Sequence, residues 1–341
     1  MIDPHLSRRA FTGAAAAFVA APYVLAQSRT EVARPVLGTG AHVYEAIHDW
    51  VTPPAGLAWG DTHGLAQDAQ GRIYIAHTVN GSSEQAHAVV VCDPDGTPIT
   101  AWGDAFRGGA HGLDLRREGS DEFLYHCDTQ RRLVVKTSLD GEVVWTQGVP
   151  MDSGVYVDAS RYCPTNVAFA PDGDLFVGDG YGSSYIHRYG ADGSYKKTIC
   201  GPGAEAGQVS CPHGLWIDPR GDTPELVVAD RGNRRLQYLS LDGEHRRFVT
   251  AGMRMPCDIK FRGDLMLVPD LESVVTLLDK DNHPVAHLGD GHPSGLRGSP
   301  REKFIPGRFV HPHDAIFLAS GDILVAEWVP IGRITLLKKK D

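Results

Sequence analysis

Along most of this chain, short apolar runs alternate with breaks made of Gly, Pro and Asp, the pattern of strands joined by tight turns. The stretch from 165 to 199 predicts strands over 165–170, 174–179, 185–189 and 195–199, with turns at Pro171-Asp172-Gly173 and Asp192-Gly193. The Asp-Gly pair recurs at Asp95-Gly96, Asp140-Gly141 and Asp242-Gly243, where glycine supplies the positive φ that a tight hairpin turn requires.

This four-strand unit repeats. A phrase that starts on a polar residue and runs into small and apolar ones begins at His63, His111, Asn166, His213, Asp258 and His313, at intervals of 48, 55, 47, 45 and 55 residues. A strand-rich repeat of about 40 to 50 residues is the mark of a propeller. Six such units account for nearly all of the chain, so the prediction is an all-β, six-bladed β-propeller of four-stranded blades, a single domain over 27–341. Blades are numbered here from the one that begins at His63.

Composition agrees with this and narrows the chemistry. Hydrophobic residues at 42% can supply a sizeable core, and 39 Gly with 22 Pro is turn-rich without reaching the disordered range. The net charge of −9, with no Lys/Arg cluster in the body of the chain, excludes a nucleic-acid footprint; Lys338, Lys339 and Lys340 read as a solvated tail. Ahead of the repeats, Arg8-Arg9 and the apolar run 14–25 end in Val24-Leu25-Ala26. That reads as a twin-arginine signal peptide over 1–26, with the twin-arginine export machinery as partner and a periplasmic or secreted destination. The run is shorter than the roughly 20 residues of a membrane span. Six cysteines in an exported chain permit disulfides, with Cys200–Cys211 the first pairing to expect, and the absence of a CxxC pair argues against a thiolate zinc site.

Sixteen histidines are many for a chain of this size, and their placement carries the functional reading. The first residue of each phrase opens the innermost strand, so all six point at the mouth of the central channel. His111, His213 and His313 fall in blades two, four and six, at three-fold positions. Three imidazoles arriving this way can meet one divalent ion and leave a position open, the form of a catalytic zinc site. Solvated or hydrogen-bonded channel histidines are the alternative. His63 is a further ligand or a base beside the ligands.

These phrases resemble the NHL-repeat propellers, and most specifically the lyase domain of peptidylglycine α-amidating monooxygenase, over nearly all six blades. The resemblance rests on Ala110-His111-Gly112-Leu113, Pro212-His213 and Pro312-His313-Asp314 for the zinc histidines, Asp179-Gly180-Tyr181 for the catalytic tyrosine, and Val228-Ala229-Asp230-Arg231 for a catalytic arginine. It implies a structural calcium held by Asp314 with the carbonyls of Leu65 and Leu113. The chain departs from that family at His77-Thr78, where a second arginine is expected, at His63 and His311, and at Gly182, where the family has a cysteine that pairs with the Cys163 position.

The resulting expectation is an exported metal-dependent lyase that cleaves an activated C–N or C–O bond of a small oxygenated substrate. The metal is zinc, with iron, manganese and copper as alternatives. Tyr181 serves as general base with its pKa lowered by the ion and Arg231, and Arg231 as an ion-pair partner of Asp230 or Asp179 is the structural alternative. Two other classes stay open: a non-catalytic metal- or ligand-binding propeller, and a lactonase-type hydrolase with acidic and Asn ligands, for which Asn166 and Asp258 are available. The Gly- and Pro-rich segment 289–307 is a long loop entering blade six.

Overall fold

A computed structural model of the protein describes residues 34–340. The signal expected at 1–26 lies outside the described residues. Six sheets form a ring, each running from the axis outward and antiparallel except where Gln208–Val209 adds a short parallel strand to blade three. Blade three runs Asn166–Phe169, Leu175–Gly178, Ile186–Tyr189 and Tyr195–Pro202, within a few residues of the expected strands. Gly193 takes φ 83° in its turn. Among the described residues no helix is long and apolar enough to cross a membrane.

Each blade is sandwiched between two neighbours, so its middle strands are buried on both faces and read as unbroken apolar runs. Val89–Cys92 in blade one and Val274–Leu278 in blade five are buried throughout. Outer strands such as His245–Val249 show mixed burial because one face meets solvent. Blade six is built from both ends of the chain. Its strands Pro312–Phe317, Ile323–Glu327 and Arg333–Lys339 are completed by His42–Ile47, and Val36–Thr39 adds a fifth. The repeat reading began at His63 and did not assign this closing segment.

Three histidines outside the channel are internal to blades. His126 lies with its Nε2 3.0 Å from Thr137 Oγ1 and stacks on Phe106. His187 bonds to the Tyr156 hydroxyl at 2.6 Å and to Thr198 Oγ1 at 3.0 Å. His77 Nδ1 accepts from the amides of Gly60 and Val79. All six cysteines among the described residues are free thiols, so the Cys200–Cys211 pairing does not form.

Candidate functional site

The four channel histidines share a backbone device. In blades one, two, four and six the pairing between the first two strands slips by one residue just after the phrase begins, between Thr62 and Leu65, Ala110 and Leu113, Pro212 and Leu215, and Pro312 and Asp314. Each slip is a β-bulge holding a histidine, and a bulge re-aims its side chain. In blade three, where the first residue is Asn166, the register runs without a slip. The glycine after three of these histidines has a steric cause. A Cβ on Gly112 would stand 2.3 Å from the Thr165 carbonyl oxygen, and one on Gly214 would stand 2.4 Å from that of Cys257.

Those same two carbonyls fix the imidazoles. His111 Nδ1 donates to Thr165 O at 2.8 Å, His213 Nδ1 to Cys257 O at 2.8 Å, and His313 Nδ1 to His63 O at 3.2 Å. A proton on each Nδ1 leaves the lone pair on Nε2, the tautomer and orientation that metal ligation needs. His63 brings its Nδ1 to 3.3 Å from His313 Nε2. Five of the ring pairs have centroids 4.5 to 4.9 Å apart. The ligand nitrogens of His63, His111 and His313 lie within 4.8 Å of one another, so the tightest trio includes His63. His213 joins through Tyr181, whose hydroxyl is 3.1 Å from its Nε2 and 3.2 Å from that of His111. Burial pushes all four imidazoles below their ordinary range, His111 to about 4, and keeps them neutral at pH 7. This buried, neutral, lone-pair-forward donor set can hold a divalent transition ion.

Tyr181 is 42% exposed as a residue, yet its hydroxyl lies among the imidazoles. Its turn is shaped by Asp179, whose carboxylate accepts from the amides of Cys163 at 2.6 Å and Ser183 at 2.7 Å and from the Tyr156 hydroxyl at 2.8 Å. This explains the departure at Gly182. A Cβ there would meet Asp179 Oδ1 at 1.9 Å, and the carboxylate already ties the Cys163 segment to the tyrosine turn. In the chain without an ion, burial outweighs Arg231 and raises the Tyr181 hydroxyl to about 12.

Arg231 is not an ion-pair strut. Asp230 is taken by Arg235 at 2.7 Å and by Asn233, and Asp179 by the groups above. Among the described residues the Arg231 guanidinium has no carboxylate partner. It lies 5.2 Å from the Tyr181 ring centroid, with Cys211 Sγ at 3.2 Å and Cys257 Sγ at 3.7 Å. Sequence reasoning missed a second guanidinium. Arg297, from the segment 289–307, bonds to Asp61 Oδ1 at 2.7 Å and stacks 3.7 Å over Trp328. Asp61 in turn donates its amide to Thr78 Oγ1 at 3.0 Å, so this cation comes to the edge of blade one where the resemblance left a gap. Its Nε is buried without a partner. Two arginines lie in that segment, and nothing in their spacing marks Arg297 out.

At the calcium donors, one oxygen of Asp314 is engaged and the other is buried without a partner. Asp314 Oδ2 accepts the Leu65 amide at 2.7 Å, so Leu65 meets this carboxyl through its N–H. Leu113 is buried in the bulged first strand of blade two. Nearby, Asp258 Oδ1 accepts the amide of Ile259 at 2.8 Å, and Asp258 Oδ2 and Asp114 Oδ1 accept from the Lys260 ammonium at 2.7 and 2.8 Å. Asn166 donates to Asp114 Oδ2 at 2.9 Å and accepts the Leu215 amide at 2.9 Å. The Asn and Asp that a lactonase-type centre would use are therefore spent on stitching strands together. Lys260 and Asp114 were not singled out from the sequence, although a lysine in the apolar run Asp258-Ile259-Lys260-Phe261 is a visible signal.

The chain matches no established family profile. It is 28% identical over 263 residues to peptidyl-alpha-hydroxyglycine alpha-amidating lyase 1 of Drosophila melanogaster, covering 67% of this chain and 44% of that protein. It is 36% identical over 136 residues to a Caenorhabditis elegans protein named "Probable peptidyl-alpha-hydroxyglycine alpha-amidating lyase pgal-1", covering 38% and 36% respectively. The chain thus spans less than half the length of these relatives. Among solved structures, a gluconolactonase from Xanthomonas campestris superposes with TM-score 0.57 at 16% identity, over 89% of this chain and 95% of that one. Virginiamycin B lyase from Staphylococcus aureus superposes with TM-score 0.55 at 13% identity, over 86% and 99%. At such identities the likeness is one of fold. Sequence and architecture together make this chain a six-bladed β-propeller similar to the peptidyl-α-hydroxyglycine α-amidating lyases.

Proposed function

We propose that the protein is a metal-dependent lyase acting on a small oxygenated substrate with an activated C–N or C–O bond, and that an anionic or strongly polar group on the substrate is held between Arg231 and Arg297. The observation that carries this reading is the Tyr181 hydroxyl, which lies 3.1 and 3.2 Å from two imidazole nitrogens whose opposite nitrogens are locked to backbone carbonyls. A divalent ion at the imidazoles, zinc in our reading, supplies Lewis acidity to a substrate oxygen and positive charge beside Tyr181.

The chain's own residues do the rest. Arg231, free of any carboxylate among the described residues, orients an oxygen of the substrate next to Tyr181. Tyr181 takes the proton of the substrate hydroxyl as the carbonyl forms, and returns it to the leaving nitrogen or oxygen. Arg231 opposes the burial that otherwise holds this hydroxyl protonated. The Arg8-Arg9 leader supports export as part of the same reading, tested by whether processed protein appears in the periplasmic fraction.

The decisive experiment is metal analysis of the purified protein and of His111→Ala, His213→Ala and His313→Ala, followed by turnover on a panel of carbinolamides, glycosides and lactones. We expect one transition ion per chain, lost or weakened in each variant, and a fall in kcat of about 100-fold or more in Tyr181→Phe. A full complement of ion in all three variants would overturn the site. A bound ion with turnover of lactones alone would favour a hydrolase.

A further inference from the structure

A second polar cluster is buried at the axis beside the histidine ring, and its Asn166, Asp258 and Asp314 line the same small cavity as the four imidazoles. Lys260, Asp114, Asp258 and Asp314 are 6%, 1%, 4% and 3% exposed. Lysine is almost never this buried unless paired. Here its ammonium bridges blades two and five through Asp114 and Asp258 and lies 4.3 Å from the Trp216 ring of blade four. Asn166 of blade three joins Asp114 to the Leu215 amide of blade four, and Asp314 of blade six takes the Leu65 amide of blade one. Asp314 and Asp258 line one small cavity at the axis. All six innermost strands therefore meet at one charged knot.

We propose that Lys260 is the axial cation of this propeller: its ammonium takes the structural role that the resemblance assigns to calcium, so the fold holds its inner strands together without that metal. Calcium takes about six to eight oxygen ligands. Of the six carboxylate oxygens in the knot, five already accept hydrogen bonds, and only Asp314 Oδ1 is buried without a partner. A divalent ion drawn to that oxygen would face the fixed charge of Lys260 in the same cluster. The cluster is reachable from solvent, because Lys260 and Asp114 line a cavity of about 430 Å³ at the channel end opposite the histidines. Exclusion of calcium is therefore a matter of occupancy and charge.

The test compares melting temperature and bound calcium, with EGTA or with millimolar calcium chloride, in the wild type and in Lys260→Met, which keeps length and removes charge. The wild type is expected to bind no stoichiometric calcium and to melt at the same temperature in both buffers. Lys260→Met is expected to melt lower in EGTA and to recover several degrees in calcium, because three buried acids then lack a counter-ion and a bound ion stabilises the folded state alone. Stoichiometric calcium in the wild type, or a wild-type melting temperature that falls in EGTA, would overturn the proposal, as would a Lys260→Met variant that melts like the wild type in EGTA. If Lys260→Met does not accumulate, the double variant Lys260→Met with Asp114→Asn returns the cluster to its wild-type formal charge and is expected to accumulate. Failure of that variant also counts against the proposal. None of these readouts depends on the reaction at the histidines.

Discussion

The carbonyl oxygen of Thr165 has two duties. It accepts the Nδ1 proton of His111, and it stands 2.3 Å from where a Cβ on Gly112 would be. The histidine can be aimed only if the next residue has no side chain. Gly112→Ala is therefore expected to push the blade-three strand away, lower the melting temperature by several degrees and weaken ion binding by about ten-fold or more. Gly221→Ala, where the nearest atom is 3.6 Å away, is expected to leave both unchanged. Calorimetry and metal titration of the two variants check this. At this scale the His-Gly phrases were legible because they repeat. Lys260 and Arg297 were not singled out, because each acts through partners distant in sequence: Asp114 lies 146 residues from Lys260 and Asp61 lies 236 from Arg297.

Strands and turns were legible wherever local chemistry fixes them, as with Asp192-Gly193 and the apolar runs. The bulges were not, since a one-residue slip shows only when two strands are aligned. The blade-internal histidines have a consequence for acid stability. Burial lowers His126 to about 3 and His77 and His187 to about 4, all below the unfolded value near 6.5. The unfolded chain thus binds protons that the folded chain refuses, so stability is full above about pH 6.5 and is lost as the pH falls toward 4. Asp179, raised to about 6, works in the opposite sense and offsets part of the loss. Melting curves from pH 7.5 to 4.5 should show a steady decline. In His126→Asn, which keeps a polar group beside Thr137 without a titrating ring, the decline should be shallower.

At the scale of the molecule, the ring is closed by pairing Tyr44 with Lys339 and Ile47 with Leu336. Six repeats predicted a ring, but not which end would supply the missing strand, because 42–47 lies outside the repeated phrase. The segment 289–307 helps fasten this seam, with Arg301 bonded to Asp49 and to the carbonyls of Ile331 and Gly332. Removing residues up to 48 should abolish cooperative unfolding. A circular permutant that joins 340 to 34 and opens the exposed hairpin at Gly119-Ser120 should keep it. Far-UV circular dichroism melts of the two variants make the comparison.

The same seam imposes a timetable. Of the strands in the ring Arg333–Lys339 is made last, and until it is made, His42–Ile47 waits without its partner while most of the ring already exists. Closure therefore follows synthesis of all six blades, and it needs His42–Ile47 to stay free until then. In the export reading the leader is attached ahead of that same strand. A receptor that gripped it early would hold the ring open, so in that reading closure comes first and transport only afterwards.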